Sequence, residues 1–272
     1  MRTNRNRLIA VSVVFLALLV PVVFSSCIFP HGNDLDMNDV LRAPSSRHWF
    51  GTDNLGRDLL ERSFNGLRLS LGLALSIQVI CICLGAVVGS VAGYYGGVVD
   101  RVYVLVQNVV MSFPSLIASL CLIAMLGTGI RTLVLALVVV EWVTYARLIR
   151  SEVITLKESD YIQGCRAIGA SNARILSRHI LPNVVGPVIP IFTLMIGHTV
   201  LAISGLGFLG FGVQPPTAEI GLMINDGVTY LTRAFWMVFC PAAVLVLYAV
   251  VMNVFGDELR EWFNPQRENV VL

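Results

Sequence analysis

Long apolar runs recur along this chain at 8–28, 69–92, 102–126, 131–150, 186–209 and 236–256. Each is close to or beyond the ~20 residues that an α-helix needs to cross the hydrocarbon core of a bilayer. No water is available there, so backbone N–H and C=O groups must be satisfied within helices or closed barrels. The runs lack the alternating pattern of barrel strands, and helices are expected. The chain thus reads as an all-α polytopic membrane protein of about six transmembrane helices. Composition agrees, with 13% of the residues charged, 56% hydrophobic and a mean hydropathy of +0.77. The net charge of +2 carries no nucleic-acid signal.

An even number of spans puts both termini on one side. With the N-terminus inside, twelve of the 19 basic residues, Arg267 among them, face the cytoplasm and the other seven face out. Excess cytoplasmic Lys and Arg favours this N-in, C-in arrangement. It makes 29–68 an outer segment, 93–101 a short inner turn, 151–185 a large inner insert and 210–235 a second outer segment. Residues 1–68 are read as an N-terminal helix with its extracytoplasmic segment, and 69–272 as the membrane core. Arg2, Arg5 and Arg7 followed by an apolar run and Ser25-Ser26-Cys27 resemble a secretory leader. Because further spans follow, an uncleaved first span is the expected form. The six cysteines lie mostly within apolar runs, contain no CxxC pair and are read as small apolar residues.

Gly85, Gly89, Gly93 and Gly97 recur at four-residue spacing, which places them along one face of a helix. Small residues in such a row let a neighbouring helix approach closely. Motifs for chemistry are scarce. There is no GxxxxGK[ST] phosphate loop, HExxH or GxSxG. Gly205, Gly207 and Gly210 match GxGxxG, but they close an apolar run rather than a strand and are read as a closely packed helix end. Glu141 and His198 lie in or near spans, where ionisable groups are costly and face other protein or a wet cavity. Both are candidates for a translocation path, as are Asn225 and Asp226.

Among the apolar runs, Asp160–Pro182 is a polar, basic island. Ser159 or Asp160 can cap a helix, and Gln163 follows Asp160 at capping-box spacing. Gly169 suits the left-handed residue beyond a helix end. Ser171 can cap a second short helix from Asn172 to about Ile180, closed by Pro182. Tyr161, Ile162, Cys165 and Ile168 form an apolar stripe at helical spacing, and Arg166, Arg174 and Arg178 add basic character. A cytoplasmic helix pair results. It could lie on anionic lipid or dock a soluble partner.

This island resembles the EAA loop of ABC importer permeases, the cytoplasmic helix pair that couples to the ATPase. Gln163-Gly164-Cys165 takes the place of the Glu-Ala-Ala triplet and Gly169 that of the glycine. His179 stands where the pattern has isoleucine, and Leu181-Pro182 closes the motif. The turn from Ala167 and Ile168 through Gly169, Ala170 and Ser171 keeps the pattern. His48 to Asp58, Tyr145 to Arg150, Gly205 to Gly212 and Gly256 to Arg260 are similar to the second, C-type permease of the peptide/nickel importers.

The resemblance implies a non-catalytic subunit in a prokaryotic inner membrane. It also implies a heterodimer with a second permease, two ATPase subunits and an extracytoplasmic substrate-binding protein. ATP and Mg would be held by those ATPases, with no cofactor on this chain. His198 and the run Met223 to Asp226 look more like the nickel members than the peptide members. Imidazole suits a transition metal, so nickel or a metal chelate is the expected cargo, with transient contact at His198, and di- or oligopeptides are the alternative. A stand-alone channel or structural membrane subunit is the reading of a different class. Copurification with an ATPase separates the two.

Overall fold

The computed structural model describes residues 2–30 and 32–263; Arg267 lies outside them. Helix α1 (Arg2–Val23) and a short α2 (Ser25–Ile28) lead into the outer segment, after which come α3 (Leu59–Tyr95), α4 (Gly97–Met111), α5 (Ser115–Leu126) and α6 (Ile130–Lys157). The inner insert holds α7 (Asp160–Ala167) and α8 (Asn172–Ile175). A π-helical turn (Leu176–Ile180) joins α8 to α9 (Leu181–Phe208), and α10 (Ile220–Val228) and α11 (Trp236–Phe263) complete the described chain.

The fold is all-helical with several membrane-length helices, although the individual spans differ from the sequence reading. Four described helices are long and apolar enough to cross a bilayer: α3, α6, the continuous Asn172–Phe208 rod and α11. The run expected at 102–126 is broken, because α4 and α5 meet at 86°. Pro114 is the cause. It lacks an N–H, pushes the preceding residue out of helical geometry and itself takes φ −56°, ψ 128°. The expected first span at 8–28 is also divided, since α1 stops at Val23 and Phe24 separates it from α2. A parallel stack of Phe15 on Phe255, with centroids 4.2 Å apart, holds α1 against α11.

Helices α3 and α6 form the tightest pair, and the glycine row explains why. A β-carbon on Gly85 would stand 2.5 Å from Tyr145 Cβ, and one on Gly93 would stand 3.1 Å from Val153 Cβ. Only glycine permits that approach. Gly97, expected in the same row, is not part of it. Helix α3 ends at Tyr95, both Gly96 and Gly97 have positive φ, and a β-carbon on Gly97 would meet open space.

The outer segment sets where α3 begins. Asp58 Oδ1 accepts hydrogen bonds from the N–H groups of Leu60 (2.8 Å) and Glu61 (3.0 Å), so the helix starts at Leu59, well before the apolar run at 69. Asp53 Oδ1 accepts from the N–H groups of Leu55 and Arg57, and its Oδ2 accepts from Arg57 Nε at 2.6 Å. Trp236 Nε1 donates to Thr52 O at 3.2 Å, tying the segment to α11.

Candidate coupling surface and intramembrane polar cluster

At the inner end, α7 begins at Asp160 and closes as the glycine predicts. Gly169 has φ +83°, its N–H donates to Arg166 O (2.9 Å), and the Ala170 N–H donates to Cys165 O (3.1 Å). This pair of bonds is a Schellman closure, and it needs a left-handed residue at Gly169. The start of α7 differs from the expected capping box. Ser159 occupies the N-cap, but its Oγ donates back to Leu156 O at 2.7 Å, and Gln163 Nε2 reaches Glu158 O at 3.5 Å.

The expected apolar stripe divides between two surfaces. Ile162 and Cys165 are buried against the bundle, whereas Tyr161 is 58% and Ile168 is 85% exposed. Ile168 stands at the C-cap, past the last helical residue, so it leaves the helix face it would otherwise share with Cys165. Gly164, Arg166, Ala167 and Ser171 are exposed as well, while Ala170 is half-buried. The surface carries two protruding apolar side chains and a basic residue on a rigid turn.

Nor does the second helix stop at Pro182. Leu181 and Pro182 open α9, and the helix runs on from Asn172 to Phe208. Proline removes a backbone donor and crowds the carbonyl one turn back. The wider π-helical turn just before it, with the Leu181 N–H donating to Leu176 O, absorbs that conflict. Tyr161 Oη and His179 Nδ1 are hydrogen-bonded, with the rings edge-on at 5.5 Å, so the histidine at the isoleucine position ties α7 to this turn.

Midway along the bundle, Glu141 and His198 come together, His198 Nδ1 lying 3.9 Å from Glu141 Oε1. Gln78 and Thr199, both absent from the sequence reading, fix the carboxylate, and Tyr145, read there only as the start of a similar segment, holds Gln78. Glu141 Oε2 accepts from Gln78 Nε2 and from Thr199 Oγ1 (2.7 Å), and Tyr145 Oη donates to Gln78 Oε1 (2.6 Å). Gln78, Glu141, Tyr145 and Thr199 are buried on α3, α6 and α9, and each satisfies a polar group that is costly to leave alone in an apolar interior. Glu141 Oε1 has no hydrogen-bond partner and faces the His198 ring, which is 55% exposed. A lone glutamine in the apolar run around Cys81 was the available signal for this network.

Asn225 and Asp226 lie elsewhere. Asn225 Nδ2 donates to Phe208 O at 2.6 Å. Burial raises the Asp226 carboxyl above its usual range, while the nearby Arg57 and Arg62 pull it down. Both residues therefore belong to the end of the bundle that carries the 29–68 segment. There Glu219 caps α10, accepting from the N–H groups of Gly221 (3.0 Å) and Leu222 (2.9 Å) and from Ser204 Oγ (3.0 Å), with Ser70 Oγ at 3.5 Å. Sequence reasoning placed Glu219 only within the 210–235 segment. Among the described residues, no group of three His, Cys, Asp or Glu side chains is placed to hold a metal ion.

The described residues thus form an all-helical bundle with several membrane-length helices, an exposed helix–turn–helix at one end and a buried polar cluster at mid-depth. The chain belongs to the family of binding-protein-dependent transport system inner membrane components, whose profile matches residues 85–269. It is 34% identical to the dipeptide transport system permease protein DppC of Alkalihalophilus pseudofirmus over 96% of this chain and 85% of that one. It is 36% identical to the nickel transport system permease protein NikC of Escherichia coli K12 over 85% of this chain and 83% of that one. The crystal structure of an amino acid ABC transporter with histidines superposes with a TM-score of 0.55 at 17% identity, covering 76% of this chain and 94% of that one. The protein is thus an inner-membrane permease subunit of an ABC importer. It is non-catalytic, and ATP hydrolysis is done by separate ATPase subunits. Permeases of this family work with a second permease, ATPases and a substrate-binding protein.

Proposed function

We propose that this chain lines the translocation pathway of an importer for nickel or a metal chelate, with both termini cytoplasmic and Asp160–Pro182 docked on the partner ATPases, which hold ATP and Mg. The observation that supports the cargo is the Glu141–His198 pair. One carboxylate oxygen is held by Gln78 and Thr199, while the other has no hydrogen bond and faces an exposed imidazole. Imidazole and carboxylate together suit a divalent transition metal. Two donors give a passing contact rather than a trap, as transit requires.

The dipeptide and nickel relatives are similar in identity, so the cargo is argued from this pair. A second reading, di- or oligopeptide import, is supported by an outer cavity of about 570 Å³ lined by Phe29, Asn33, Asn65 and Arg68. The exposed Arg68 guanidinium there suits a peptide carboxylate.

The test is uptake of radiolabelled nickel and of a dipeptide by cells carrying the complete transporter. His198→Ala should lower nickel uptake by about tenfold, the effect of losing one good metal contact of roughly 1.4 kcal/mol. Unchanged nickel uptake overturns the role of the histidine, and dipeptide uptake lost with Arg68→Ala favours the second reading.

A further inference from the structure

We propose that Tyr94 is the positioning residue through which the inner insert acts on α3, a role that rests on the docking function proposed above for Asp160–Pro182. Tyr94 lies in the last turn of α3, next to Gly93, which seats that helix on α6. Its ring is 4% exposed. The hydroxyl donates to Asn172 Oδ1 of α8 at 2.8 Å. Arg166 of α7 places its guanidinium carbon 5.6 Å from the ring centroid, and Lys157, the last residue of α6, places its ammonium nitrogen at 5.7 Å. One buried phenol therefore joins four helices at the point where the insert leaves and re-enters the bundle.

The chemistry makes this contact hard to replace. A buried tyrosine needs a partner for its hydroxyl, and here that partner belongs to the insert. The negative face of the ring attracts both cations, which repel each other when the ring is gone. Beyond Tyr95 the chain turns away at Gly96 and Gly97, both with positive φ, and α4 is braced to α6 rather than to the insert, through the ion pair of Asp100 with Arg150. The inner end of α3 is thus held to the insert through Tyr94. A shift of α7 and α8 on docking is passed to α3, which carries Gln78 of the polar cluster roughly 24 Å further along the helix.

The test uses the complete transporter in proteoliposomes, with Tyr94→Phe, Asn172→Ala, the double variant and Tyr94→Leu. Two quantities are measured: copurification of the ATPases, and radiolabelled nickel, or a radiolabelled dipeptide where nickel is not carried, transported per ATP hydrolysed. All four variants should retain the ATPases. Tyr94→Phe keeps the ring and loses one hydrogen bond, so transport per ATP should fall about threefold, and adding Asn172→Ala should lower it no further. Tyr94→Leu, which also loses both cations, should lower it about tenfold.

Unchanged transport per ATP in Tyr94→Leu overturns the proposal. So does a loss that only tracks a lower melting temperature or lost ATPase, since a purely structural residue behaves in that way. A wild-type complex that carries no ATPase overturns the docking role itself, a failure distinct from the first two.

Discussion

Gly89 of α3 lies so close to Ala146 of α6 that a β-carbon on Gly89 would stand 3.0 Å from the Ala146 α-carbon. Backbone cannot yield as a flexible side chain can. Gly89→Val should therefore destabilise the chain by about 1–3 kcal/mol, the usual cost of overpacking. Gly72, on the same helix, faces open space, and Gly72→Ala should be neutral or slightly stabilising. Thermal unfolding of both variants in detergent checks the contrast. Equal shifts would show that the helix contact is looser than described.

Gly169 is held at φ +83° by the two hydrogen bonds that close α7. A β-branched residue in that conformation costs about 1–2 kcal/mol. Gly169→Val should leave the membrane core folded, displace the turn and reduce substrate-stimulated ATP hydrolysis several-fold. Gly169→Asn should lie between this variant and the parent, because asparagine tolerates the left-handed region. Normal stimulation in Gly169→Val would count against docking through this turn.

Asp53 is buried with Arg57 and Arg62, at 3%, 8% and 3% exposure. Removing the carboxylate takes away the direct partner of both guanidinium groups and leaves them the nearby Asp226, with Asn33 on Arg62, at a cost of about 3 kcal/mol. Asp53→Ala should lower the melting temperature and, in the detergent-solubilised protein, open residues 29–68 to protease faster than in the parent. Unchanged protection would show that the hydrogen bonds of Thr52 and Trp236 suffice to hold the segment.

Glu219 gives stability a pH dependence. Burial raises its carboxyl above the usual 4.5, against the Gly221, Leu222, Ser204 and Ser70 donors that lower it. A group whose pKa is raised on folding contributes fully below its unfolded value, and the contribution is lost as pH climbs through the folded value. The melting temperature should therefore fall as pH rises from about 4.5, and Glu219→Gln should flatten that part of the profile. Identical slopes in the two proteins would overturn the assignment.

The helical class and the glycine row were legible because each depends on local periodicity. Gly85, Gly89 and Gly93 needed only their spacing to be placed on one face. Gly97 was misplaced because the backbone leaves the helix at Gly96, and a regular interval carries no record of that change. The reverse happened at Pro182, where the proline rule for ending a helix gave way to a π-helical turn. At Pro114 the rule held and split an apolar run that hydropathy alone joins. Gly169 was readable from its neighbours, since a helix end is decided within a few residues. The partners of Glu141 were not, because Gln78, Tyr145 and Thr199 converge from three helices and only packing unites them. Asn225 and Asp226 were set beside Glu141 as pathway candidates through the likeness of Met223 to Asp226 to the nickel members, and folding carries them to the end of the bundle that holds the Glu219 cap.

The absence of a joint at Leu176–Ile180 has a mechanical consequence. Asn172–Phe208 is one rod of 37 residues, about 55 Å long at the helical rise. Its outer end packs on the Glu219 cap and its inner end forms half of the proposed docking surface. Were a helix of that length to move as one body, a tilt imposed at one tip would reach the other at the same angle. A few degrees at the tip that carries the proposed docking surface would become a sideways stroke of several ångströms at the Glu219 end, with His198 on the shaft between them.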